Sequence, residues 1–143
     1  MREIKFRAWD YTSQIMSYSD EEKSLEAFFA SHNKDYDDVV FMQFTGLKDN
    51  LGCEIYEGDT VQFTYWWFDG NATDSILTGQ IVYSDQLMSF QLKGVKNDEW
   101  EKFTGYVNDQ EYLTPFSELN FDDADFLVIG NIYENPELIK ETK

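Results

Sequence analysis

Apolar and polar positions alternate with a period of two over much of the chain. In the first segment, Glu3 to Asp10, Ile4, Phe6 and Ala8 share one face and Lys5, Arg7 and Trp9 the other. This pattern predicts a strand with one covered face. A polar turn, Asp10 to Ser13, then leads into Ile15–Tyr18, the expected hairpin partner. The period changes next. Leu25, Phe28 and Phe29 form an i, i+3, i+4 stripe behind Ser19-Asp-Glu-Glu22, which has the form of a capping box. A helix is therefore expected near residues 20–31, with Ser19 as its cap.

Beyond a polar stretch at His32 to Asp38 the pattern returns to strands. They are expected at Val39–Thr45, Thr60–Phe68, Ile76–Tyr83, Leu87–Leu92, Phe126–Tyr133 and, more weakly, Trp100–Val107. Pro115–Leu119 and the segment after Asn135-Pro136 read as short helical turns. Glu57-Gly58-Asp59 reads as a tight turn, with Gly58 supplying the backbone freedom and Asp59 accepting from a nearby amide. Many short strands with one helix indicate a mainly β, β-rich α+β chain. The expected architecture is a small curled sheet or SH3-like barrel with an N-terminal hairpin and one α-helix. Residues 1–143 read as a single domain; His32 to Asp38 is the candidate boundary between a 1–38 strand and helix part and a 39–143 barrel-like part.

Composition narrows the function classes. Of 143 residues 42% are hydrophobic and 17% aromatic, enough for a core. No apolar run reaches the roughly 20 residues of a membrane span, and no secretory leader pattern opens the chain. The single cysteine, Cys53, excludes an internal disulfide and fits a reducing cytoplasm. With one histidine, His32, a zinc site of four Cys/His ligands is excluded. The formal net charge is −17, from 28 acids against 11 bases, and nine acids lie between Asn97 and Asp125. Such a surface repels phosphate backbones and anionic lipid, so direct nucleic-acid or membrane binding is not expected.

The candidate chemistry is sparse. Glu57 and Asp59 form a carboxylate pair across a turn, but no nucleophile, base or cofactor motif accompanies them, and the turn reading accounts for both. Asp122, Asp123 and Asp125, and Asp35 with Asp37 and Asp38, lack the spacing of a calcium loop. Asn71-Ala-Thr73 matches a glycosylation sequon without a secretory context. Cys53 and His32 could form a dyad, but the sequence alone does not bring them together. No catalytic residue, cofactor or metal is assigned. In Tyr65-Trp-Trp-Phe68, alternation places Trp66 and Phe68 opposite the face of Val61 and Phe63, so these two rings are the candidate interaction surface.

Three segments carry a resemblance. They are Met1-Arg-Glu-Ile-Lys-Phe-Arg-Ala-Trp-Asp10, then Thr45-Gly-Leu-Lys-Asp49 continuing through Gly52 to Glu54-Ile-Tyr-Glu-Gly-Asp59, and last Val128-Ile-Gly-Asn-Ile-Tyr-Glu-Asn-Pro-Glu-Leu138. In this order they resemble the YopX family of phage and prophage proteins. At Cys53 the resemblance breaks, since the family more often has a polar residue there. The resemblance implies a β-rich, phage- or prophage-encoded protein in a bacterial cytoplasm, and no particular reaction. The expected function is that of a non-enzymatic accessory protein acting through protein contacts, a homo-oligomer included. The alternative is an acidic mimic of DNA that occupies a host nucleic-acid-binding protein.

Overall fold

The computed structural model describes residues 3–32, 38–67, 73–86, 88–94, 112–113 and 126–139, with backbone alone at 64–67, 73–76 and 112–113. The strands are β1 (Phe6–Asp10), β2 (Ile15–Tyr18), β3 (Val39–Lys48), β4 (Glu54–Tyr56), β5 (Asp59–Trp67), β6 (Thr73–Ser84), β7 (Ser89–Gly94), β8 (Tyr112–Leu113) and β9 (Leu127–Asn131). The helix α1 spans Leu25–Ser31. Two antiparallel sheets result, one curled and four-stranded in the order β2-β1-β3-β4, the other five-stranded in the order β8-β7-β6-β5-β9. Among the described residues the architecture is thus β-rich with one α-helix.

The N-terminal hairpin forms as its sequence predicts. Asp10 Oδ1 accepts from the Thr12 and Ser13 amides at 2.9 and 3.3 Å, and Gln14 takes a positive φ of 57° to close the turn. β1 then pairs with both β2 and β3, Arg7 lying opposite Tyr18 on one side and Met42 on the other. Because β3 pairs with β1, the candidate boundary near residues 32–38 falls inside one sheet, not between two bodies.

The helix starts later than expected. Ser19 does not cap it: the residue is buried in a short 3-10 turn, and its hydroxyl accepts from the Phe6 amide at 3.0 Å. That amide lies at the open end of β1, where a side-chain acceptor replaces the missing ladder partner. Ser24 caps instead, accepting from the Ala27 amide at 3.1 Å. The predicted stripe is covered only in part: Phe28 is fully buried and Phe29 meets Phe6 edge-on at 5.2 Å and Phe41 at 5.0 Å, while Leu25 and Phe29 stay 36% and 37% exposed. Through Phe28 and Phe29, α1 packs on β1 and β3.

Period two is read correctly in β1 but its consequence is larger than expected. Arg7, Ala8 and Trp9 are all buried. The helix covers the Phe6 face, while Tyr133 stacks on Trp9 at 6.0 Å from the opposite side. The main core lies against the five-stranded sheet: Val61, Phe63, Leu77, Ile81, Leu92 and Phe126 pack with Ile55 of β4. Each such side chain contributes about 1.5–3 kcal/mol, and Ile55 ties the first sheet to the second.

The segment expected as a strand, Phe126–Tyr133, is shorter and forms β9 at a sheet edge, paired with β5. Its free edge is covered by a loop. Asn50 Oδ1 accepts from the Phe126 amide at 3.1 Å and Asp49 Oδ2 from the Val128 amide at 2.9 Å. Side-chain acceptors thus take the amides that would otherwise template another strand. The terminal turn is 3-10, Pro136–Ile139, and the Asn135 side chain accepts from the Asn131 amide at 3.3 Å. Trp100–Val107 and Pro115–Leu119 lie outside the described residues.

Candidate functional site

The three segments that carry the resemblance converge where the two sheets meet. From the first comes Arg7, from the second Tyr56 and Asp59, and from the third Asn131 and Tyr133. Arg7 Nη2 lies 2.7 Å from Asp59 Oδ1, and the two side chains are 4% and 2% exposed. The other Asp59 oxygen accepts from the Tyr56 amide at 2.7 Å. Arg7 also donates to the Glu57 carbonyl at 3.1 Å and lies over the Tyr56 ring at 4.8 Å. This is a buried, mostly saturated pair in which the arginine's planar fork meets a carboxylate, a carbonyl and a ring face.

The turn beneath it is built as Gly58 dictates. Gly58 has φ +88°. Its amide donates to the Ile81 carbonyl at 2.8 Å, and its carbonyl accepts from the Ile132 amide at 2.9 Å. The Glu57 amide donates to the Gln43 carbonyl at 2.9 Å. One tight turn thereby links β3, β6 and the segment after β9. Asp49 repeats the device in the preceding loop: its Oδ1 accepts from the Leu51 and Cys53 amides at 2.9 and 2.8 Å while Oδ2 reaches Val128.

Electrostatics mark the same place. Burial pushes the Asp59 carboxyl up to about 6 against the opposing pull of Arg7 and the Tyr56 amide. Burial also raises Glu57. A raised folded-state value means the protonated form is favoured by folding. The stability Asp59 contributes is therefore present below the unfolded value near 4 and is lost as pH rises through about 6. We expect the melting temperature to fall between pH 4 and pH 6.5, with a smaller fall in Asp59→Asn. An equal slope in both proteins would show that Asp59 is not the group responsible.

Beside the pair lies a cavity of about 510 Å³ whose lining includes Arg7, Tyr18, Asp20, Glu21, Cys53, Glu54, Tyr56 and Asp59. The Tyr18 and Tyr56 rings meet edge to face at 5.8 Å. Lys5 holds Glu54 Oε1 at 2.8 Å, leaving Oε2 buried with no partner. Arg7 Nε is likewise buried and unpartnered.

The predicted site residues are distributed unevenly over this geometry. Glu57, Gly58 and Asp59 come together at the seam, where Asp59 and the Glu57 backbone hold structure. Trp66 is placed by its backbone opposite Asp74 in β5; its side chain and all of Phe68 lie outside the described residues. His32 and Cys53 have separate surroundings: His32 Nδ1 donates to the Phe28 carbonyl at 2.8 Å, and Cys53 is exposed at the cavity. Among the described residues no group of three His, Cys, Asp or Glu side chains is arranged to hold a metal ion, and no helix is long and apolar enough to cross a membrane. The burial of Arg7 was not expected from the sequence; the available signal was its place beside Trp9 on the second face of β1.

The sequence matches the model of the family described as YopX protein over residues 5–140. No curated protein matches it. Among solved structures, the chain is similar to the crystal structure of protein EF1440 from Enterococcus faecalis. The identity is 27% and the TM-score 0.54, over 98% of this chain and 100% of that one.

Proposed function

The chain belongs to the YopX family, and from that premise we propose that it is a phage- or prophage-encoded accessory protein acting through protein contacts rather than catalysis, in a bacterial cytoplasm. The observation that carries this reading is the state of Asp59. Of the one carboxylate pair the sequence offers for acid–base work, Asp59 has both oxygens engaged, one by Arg7 and one by the Tyr56 amide. A group so held fixes the junction of the sheets and is not free to exchange protons with a substrate. The contact surface in this proposal includes Trp66 and Phe68, and self-association is its simplest form. Like charges must approach in such an oligomer, so association strengthens with added salt. Sedimentation at low and high salt tests it: the wild type is expected to associate at micromolar concentration, and Trp66→Ala with Phe68→Ala to reduce this at least about tenfold. A wild type that stays monomeric in both salts rejects self-association through these rings.

The net charge of −17 favours a second reading, an acidic mimic of DNA directed at a host nucleic-acid-binding protein. The acid-rich run from Asn97 to Asp125 on which it turns lies largely outside the described residues. Capture from host lysate separates the two readings, since a mimic's partners are released by high salt and those held by aromatic contacts are retained.

A further inference from the structure

The sheet edges are left in different states. At β9 the Asn50 and Asp49 side chains take the Phe126 and Val128 amides, and at β4 the Asp59 carboxylate takes the Tyr56 amide. β2 is the outermost strand of the first sheet. Which of its backbone groups point outward follows from β1. The Phe6 amide donates to Ser19 on the β2 side, and the Lys5 carbonyl accepts from Phe44 on the β3 side. Backbone direction alternates along an antiparallel strand, so Ala8 and Asp10 face β2 while Arg7 and Trp9 face β3. Ala8 lies opposite Ser17 and Asp10 opposite Ile15. Ser17 and Ile15 therefore bond to β1, and Met16 directs both its N–H and its C=O out of the sheet. Among the described residues nothing takes these two groups.

The edge also lacks the devices that keep strands apart. Charges, proline and bulges block edge pairing; Ile15–Tyr18 has none of them and pairs with β1 in unbroken register. From Tyr11 to Ser19 the chain has no charged residue, although it carries 28 acids and 11 bases in all. This edge therefore lets two chains of net charge −17 meet without an acid in the contact. Tyr18 is held edge-on to Tyr56 at 5.8 Å and Ser19 to the Phe6 amide, so the strand is fixed before a partner arrives. The geometry points to an interface with a second copy of this chain, in which β2 pairs antiparallel with β2 of that copy about a two-fold axis at Met16. A residue that shows one donor and one acceptor on the same side is complementary to itself, and Met16 of each copy exchanges both hydrogen bonds with Met16 of the other. Ile15, 57% exposed, then lies beside Ser17 of the second copy. Antiparallel pairing sets the exposed acids Asp20 and Glu21 of one copy toward the uncharged turn Tyr11–Gln14 of the other. A four-residue strand makes a small contact, so association in the micromolar range is expected. This contact uses none of the residues of the one proposed through Trp66 and Phe68.

Cross-linking at residue 16 reads the axis directly. Facing residues in such a pair have Cα atoms about 5.5 Å apart, within the roughly 4.4–6.8 Å that a disulfide spans. In a Cys53→Ser background, Met16→Cys is oxidised with copper phenanthroline beside Glu137→Cys, an exposed position on the terminal 3-10 turn. Covalent dimer is expected to form at least about tenfold faster from Met16→Cys, and equally fast when Trp66→Ala and Phe68→Ala are added. Met16→Pro gives the second measurement. It removes the outward donor and leaves the Ser17 and Ile15 bonds to β1 in place, so the chain stays folded and its association in sedimentation weakens about tenfold. Where Met16→Pro fails to fold, Ile15→Glu, an exposed change that sets like charges near the axis, takes its place with the same expected direction. Equal cross-linking rates at the two positions, loss of the cross-link when Trp66 and Phe68 are replaced, or undiminished association in the folded β2 variant overturns the proposal. A wild type that is monomeric in sedimentation does so too, and leaves the edge to an extended segment of another protein.

Discussion

Asp59→Ala is expected to lower unfolding stability by about 3–5 kcal/mol, or roughly 10 °C in melting temperature for a chain of this size. Two losses combine. The Arg7 guanidinium, 4% exposed, is left as a buried charge without its counter-ion. The Tyr56 amide loses the acceptor it holds at 2.7 Å. Asp59→Asn separates these, because the amide oxygen still accepts from Tyr56 while the charge is gone, and it should lose less stability than Asp59→Ala. The cost measures the broken pair and not the pair's net value. Desolvation of both ions offsets most of their attraction, as the upward push on Asp59 shows. The double replacement Arg7→Met with Asp59→Leu should therefore be more stable than Asp59→Ala alone. Urea unfolding of the four proteins checks the ranking; a loss under about 1 kcal/mol in Asp59→Ala would mean the pair is solvated in solution.

Much of this junction was legible in the sequence, but not its depth. Alternation in Glu3–Asp10 gave the strand, and the polar turn after it gave the hairpin. What alternation cannot supply is whether the second face of a strand is covered. That depends on Tyr133 and Asp59, which are distant in sequence and arrive only when the second sheet docks. The Ser19 cap failed for a related reason. Ser19 and Ser24 offer the same hydroxyl, and the choice between them was made by the Phe6 amide across the hairpin. β9 is apolar yet tolerates a sheet edge because Asp49 and Asn50 cover its amides, a contact spanning more than 70 residues. Local turn chemistry, by contrast, carries its own evidence. Glu57-Gly58-Asp59 formed as read, since a glycine and a carboxylate two bonds from the backbone need no distant partner to specify a tight turn.

The same turn sets the last expectation, that Gly58→Val lowers stability by roughly 3 kcal/mol while Glu57→Gln changes it by no more than about 0.5 kcal/mol. At φ +88° an added Cβ costs about 1–2 kcal/mol of backbone strain. Space is also short. A Cβ there lies 3.0 Å from Met42 Sδ, 3.6 Å from the Tyr133 ring and 3.7 Å from the Arg7 guanidinium. Branching at Cβ extends valine toward that same crowded wall, and overpacking adds about 1–3 kcal/mol. Relief by moving Arg7 would disturb the Asp59 pair, so strain at the turn is transmitted to the seam. Gly58→Ala, with no branches, should show a smaller loss in the same direction. In Glu57→Gln the backbone bonds to Gln43 and Arg7 persist, and the half-buried carboxyl is replaced by an uncharged group of the same shape, a change that burial already favours. Thermal unfolding of the three variants at one pH decides the order. If Glu57→Gln proved the more damaging of the two, the Glu57 carboxylate would have a role that its backbone position does not supply.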